Sequence, residues 1–178
     1  VPSTGSRWRF LWSILLALGA LALIAMAVSA VLLSRWSDLR SSSSPQAAQA
    51  FHDVRQQVGR WGADADRAYL HIDAAGHVHV DRRLEHEQQA DLRALHLLAW
   101  DPASQRLLNV GFPWWFVRVK MNDTINLGTF TTALSGDWQH LDLKISTEEL
   151  RRRGPGIVLD HQRSDNSCVL LWSEPVVE

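Results

Sequence analysis

The residues best suited to chemistry concentrate in one stretch, YLHIDAAGHVHVD, residues 69–81, where three histidines and two aspartates recur at alternate positions. A loop at Ala74-Ala75-Gly76, with glycine placed for left-handed backbone, predicts a β-hairpin. Asp73 then faces His77, His71 faces His79 and Tyr69 faces Asp81. Strand alternation puts these six side chains on one face and Leu70, Ile72, Val78 and Val80 on the other. Directly opposed residues carry Cβ atoms roughly 4.5–5.5 Å apart, so imidazoles and carboxylates would converge. Neutral imidazole and carboxylate are ligands for zinc, nickel or copper, which makes His71, His77 and His79 a candidate metal site with zinc as the candidate ion. Protonation near pH 6 would also load that face with charge. The same pattern equally describes the solvated face of a hairpin whose inner face is apolar, and both readings stay open.

A second stretch, GFPWWFVRVKM at 111–121, sets three adjacent aromatics beside two basic residues. The preceding LLNVGF reads as a strand ending at the proline, so a short helix follows with Pro113 at its start. On that helix Trp114, Val117 and Met121 line up, flanked by Trp115 and Val119, with Phe116 and Lys120 toward the opposite side. Phe116 is therefore expected on the less buried side beside a basic residue, a combination suited to a bilayer interface. Trp114, Trp115, Phe116, Arg118 and Lys120 form the candidate membrane or partner contact, against the alternative that the paired tryptophans build the core.

Other chemistry is missing. G-x-S-x-G, H-E-x-x-H, a phosphate-binding glycine loop and the Rossmann fingerprint do not occur, and no nucleophile with a neighbouring base is identifiable; the chain is expected not to be an enzyme. Asp160 and His161 adjoin on a strand, pointing to opposite faces. Arg151-Arg152-Arg153 offers a possible anionic contact, but cations at a helix end also answer the helix dipole. The formal net charge of −1 gives no basic field for nucleic acid. Cys168, the one cysteine, excludes an internal disulfide and reads as a small core residue of the strand CVLLW.

These residues need elements to hold them. Phe10 to Leu33 contains no charged residue; at about 1.5 Å per residue it spans roughly 36 Å, enough to cross a bilayer core. Trp8, Trp12 and Trp36 mark its ends as an interfacial belt. Ala25-Met26-Ala27 also fits a signal-peptide cleavage site, but the apolar run continues past it to Arg35, favouring an uncleaved anchor. Residues 1–9 are then a short basic tail, 10–33 a transmembrane helix, 34–44 a polar linker and 45–178 a soluble domain. The basic N-terminus favours N-in topology. The arginine-over-lysine bias and many alanines suggest a bacterial genome, placing the domain in the periplasm or outside the cell, with the bilayer and an envelope protein as expected partners.

Within the domain, Ala47, Phe51, Val54, Val58 and Trp61 form one apolar stripe on a helix capped by Ser44 and ended near Gly62. LRALHLLAW and RLLNVGF flank Asp101–Gln105 as a second hairpin. WQHLDLKI, GIVLDHQ and CVLLW supply further strands, and Ser146 with Glu149 forms a capping box on a short helix closed by Gly154. The sum is an α+β fold, an antiparallel-sheet domain with short helices. LLNVGFPWWFVRVKM, LDLKISTEEL and GPGIVLDHQRSDNSCVLLWSE together resemble, over residues 107–174, a small C-terminal module of uncharacterised bacterial envelope (SHOCT-like) proteins. That resemblance implies no catalytic residue and no activity.

Overall fold

The computed structural model describes residues 37–73, 75–120, 125–126, 142–143 and 145–176. The expected span at 10–33, and Trp8, Trp12 and Trp36 beside it, lie outside these; among the described residues no helix is long and apolar enough to cross a membrane.

Strand composition predicts sheet order. The most continuously apolar strands, β4 (Leu92–Asp101), β8 (Gly156–Gln162) and β9 (Cys168–Pro175), are inner strands that bury side chains on both faces. β5 (Arg106–Pro113) follows β4 through a tight turn with Gln105 at φ 52°. The polar or very short strands take the edges: β1 (Ser37–Ser41) beyond β5, then β2 (Leu70–Ile72) and β3 (Val78–Val80) beyond β8. The order is β1-β5-β4-β9-β8-β2-β3. All pairings are antiparallel except β2 with β8, aligned in parallel at Leu70 and Leu159. The sheet is thus mixed rather than purely antiparallel. The reason is topological: β1 enters at one edge, α1 (Ser44–Gly59) carries the chain over a face, and β2 joins the far side in the direction it arrives.

β1 also corrects the expected linker. Residues 37–41 pair with Arg106–Val110, so the domain begins at Ser37 and not at Pro45. α1 is capped by Ser43, one residue before the expected Ser44; the Ser43 amide donates to Gln46 Oε1 at 3.0 Å.

Each face of the sheet carries its own core. On one, Ala47, Phe51 and Val58 of α1 lie on Leu98, Trp100, Leu107, Ile157, Leu170 and Trp172, with Val54 and Trp61 partly buried beside them. Full burial of a side chain like Phe51 stabilises by about 2–3 kcal/mol. On the other face, Leu95, Leu97, Ala99, Leu108, Val110 and Leu171 are covered by Val117 of α2 (Trp114–Lys120) and by Ile145 and Leu150 at α3 (Thr147–Arg153). Ser146 and Glu149 form the expected capping box on α3, and Gly154 ends it at φ 73°. A separate two-stranded pair joins β6 (Ile125–Asn126) to β7 (Asp142–Leu143); the rest of the expected strand WQHLDLKI up to Lys144 is outside the described residues.

Candidate functional site

The histidine hairpin forms in the expected register. His71 opposes His79, the Asp73 amide donates to the His77 carbonyl at 3.0 Å, and Gly76 takes φ 85°. Asp73 is the hub of the tip. Its Oδ1 accepts the amides of Ala75 and His77, both at 2.9 Å, while Oδ2 lies 3.0 Å from His79 Nε2 and 3.3 Å from His77 Nδ1. These contacts, the His79 imidazole first, hold the Asp73 carboxyl well below the usual carboxylate range. His71 lies with His79 along a shallow groove of about 440 Å³ edged by Asp81, Arg82 and Arg83. Among the described residues, no group of three or more His, Cys, Asp or Glu is placed to hold a metal ion. The tip is an aspartate held by two exposed imidazoles.

The base of the hairpin departs from the expected face. Tyr69 precedes the strand and is fully buried, its amide donating to the Ile157 carbonyl at 3.2 Å and its hydroxyl to Glu85 Oε1 at 2.7 Å. Alternation does not reach it because β2 begins only at Leu70. Burial, then the bond to Glu85, pushes the phenol far above its ordinary value. Asp81 turns to cap the 3₁₀ turn Arg82–Leu84, accepting from the Arg83 amide and guanidinium.

Residues 111–120 are a strand followed by a helix, as the proline suggests, with α2 starting at Trp114. The exposed aromatic is Trp115 and not Phe116. Phe116 stacks on Phe112 with ring centroids 6.0 Å apart, because the strand immediately before the helix places Phe112 beneath it. Trp114 also packs against the core, and Val117 is wholly buried. Trp115 and Val119 remain 60% and 70% exposed, with Arg118 exposed beside them and Lys120 closing the helix. Positions four apart share a helix face, so Trp115 and Val119 form one outward apolar strip.

The arginine run is used internally. Arg151 donates to Asp91 and the Ala90 carbonyl, and Arg152 to Glu148. Arg153 is buried, its Nη2 donating to the carbonyls of Asp64 at 2.8 Å and Arg67 at 3.0 Å, while its Nε has no partner. Burial lowers the Arg153 pKa.

Compared with protein-family models, curated proteins and solved structures, the chain matches none.

Two further clusters escape sequence reading. A cleft of about 450 Å³ opens beside α1, lined by Phe51, Arg55, Trp100, Gln162, Asn166 and Cys168. Arg55 grips Asp160 through two bonds of 2.7 and 2.8 Å. Cys168 sits half-buried at this cleft rather than within the core, its thiol pushed up chiefly by burial. No sequence signal pairs Arg55 with a strand 105 residues away. On the same face, His96 stacks on Trp172 at 5.1 Å, 2.9 Å from Glu174 Oε2 through Nε2. Gly111 leaves room for that ring, since a Cβ there would lie 2.9 Å from His96 Nδ1. His96, the one polar residue within ALHLLAW, is the available signal.

Proposed function

We propose that the chain is a single-pass, membrane-anchored, extracytoplasmic module of the bacterial envelope that binds rather than catalyses, docking its α2 face at the bilayer interface. The carrying observation is the outward strip of Trp115 and Val119 beside Arg118. A tryptophan at an apolar–polar boundary gains from both sides, its ring among acyl chains and its N–H among headgroups. The apolar run at 10–33 would keep that surface near lipid at high local concentration. From Pro45 onward, 14 basic and 18 acidic side chains give −4, so ring insertion and not general charge attraction has to drive contact.

The test is co-sedimentation of the domain Ser37–Glu178 with phosphatidylcholine vesicles. Trp115→Ala should reduce the bound fraction severalfold and leave Tm nearly unchanged because the ring is mostly exposed, while binding of the unaltered domain should be insensitive to salt. Equal binding by both proteins refutes lipid docking and makes an envelope protein the partner to seek. A second reading, a tethered metal or proton sensor, draws on the two imidazoles held at Asp73. Zinc titration at pH 7.5 tests it: tight one-to-one binding lost in His77→Ala/His79→Ala would establish it.

A further inference from the structure

The edge strand β1 carries a self-complementary pattern. Its residues 37–41 read SDLRS, and among the described residues only β5 pairs with it. An open edge presents a row of unpaired amides and carbonyls, usually guarded by proline, a bulge or an inward charge. β1 has no proline, and its register with β5 runs without a bulge from Ser37–Val110 to Ser41–Arg106.

The ladder can be phased. The Ser42 amide donates to the Gln105 carbonyl at 3.0 Å, one step beyond the Ser41–Arg106 pair. Hydrogen-bonded pairs alternate along antiparallel strands, so the backbones of Arg40 and Asp38 also face β5. Those of Ser37, Leu39 and Ser41 face outward. The side chains of Asp38 and Arg40 share a sheet face, opposite Asn109 and Leu107, and Leu39 takes the other, opposite Leu108. Asp38 and Arg40 are exposed, and among the described residues neither has an ion-pair partner. Leu39 is 46% exposed.

We infer that β1 is an interface with a second copy of this chain, the two strands pairing antiparallel about a two-fold axis at Leu39. Centred there, Ser37, Leu39 and Ser41 exchange about six backbone hydrogen bonds with their mates. Asp38 then opposes the partner's Arg40, and Arg40 opposes the partner's Asp38. These fall at the non-hydrogen-bonded positions, where opposed side chains lie closest. Shifting the centre to residue 38 or 40 puts two aspartates or two arginines face to face, so charge selects the register. Such reciprocity is the signature of an isologous contact. The result is a continuous sheet running through both copies.

Directly opposed Cα atoms in a hydrogen-bonded pair lie about 5.5 Å apart, within disulfide range. The experiment uses the full chain in mild detergent, with Cys168→Ser removing the native thiol and Leu39→Cys adding one on the axis. Under gentle oxidation most of the protein should run as a covalent dimer. Asp38→Arg should cut the dimer at least about fivefold, and adding Arg40→Asp should restore it. Ala103→Cys, exposed in the β4–β5 turn, is the collision control. Cross-linking no greater than that control overturns the inference. So does cross-linking indifferent to Asp38→Arg, which would mean that other parts of the chain bring the cysteines together, and so does failure of the double exchange to rescue.

Discussion

The tip and base of the hairpin β2–β3 hold the same kinds of group to opposite ends. At the tip, His77 and His79 both bond Asp73 in water. At the base, Tyr69 is sealed inside with Glu85, and nearby the guanidinium of Arg153 holds the carbonyls of the 62–68 loop. A polar contact in solvent exchanges one set of hydrogen bonds for another; a buried one, once broken, leaves groups with no replacement. The base is therefore structure, while the tip is free to change its partners.

The largest effect belongs to the base. Arg153→Ala should cost about 3 kcal/mol in urea unfolding, because it removes the bonds to the Asp64 and Arg67 carbonyls and empties a filled site. Tyr69→Phe comes next, at about 1.5 kcal/mol, for a hydroxyl bonded to a carboxylate. Its pH dependence has a definite sign. A phenol whose folded pKa is raised contributes fully below its unfolded value of about 10 and loses that contribution as pH climbs further. The gap between wild type and Tyr69→Phe should close in the alkaline limb. The smallest effect belongs to the tip and has the opposite sign. The Asp73 pKa is depressed, so its contribution is present above the unfolded value of about 3.9 and fades as pH falls below it. Asp73→Asn should converge with wild type only in acid, with little change in Tm at neutral pH. A collapse of Tm at pH 7 in Asp73→Asn, or none in Arg153→Ala, would break the contrast.

How much of this was legible follows from range. Period-two alternation over residues 70–80 gave the hairpin register, since a one-residue slip would have turned Leu70 and Val80 outward. It misplaced Tyr69 because a strand end is set by neighbouring loops and not by its own pattern. Alternation and capping likewise gave β4, β5, β8, β9 and α3. β1 is not legible as a strand because SDLRS has no apolar face of its own; among the described residues its strand state comes from β5 alone. Around α2 the helix was legible but its exposed side was not. Phe116 is drawn in by Phe112, a tertiary stacking that a helical wheel omits. The cleft pairs residues from α1 and β8, so it exists only after folding.

The strand order has a consequence in time. β9, the last of the described strands, lies at the middle of the sheet between β4 and β8. As the chain is made from its N-terminus, every described pairing except β4–β9 and β8–β9 has both strands before residue 168 emerges. Until then β4 and β8 lack their common neighbour, and both apolar faces lack a central floor. Contacts of such long sequence separation form late and slowly. Closure of the sheet therefore waits on residues 168–175, and the incomplete sheet needs holding apart from other chains until β9 arrives.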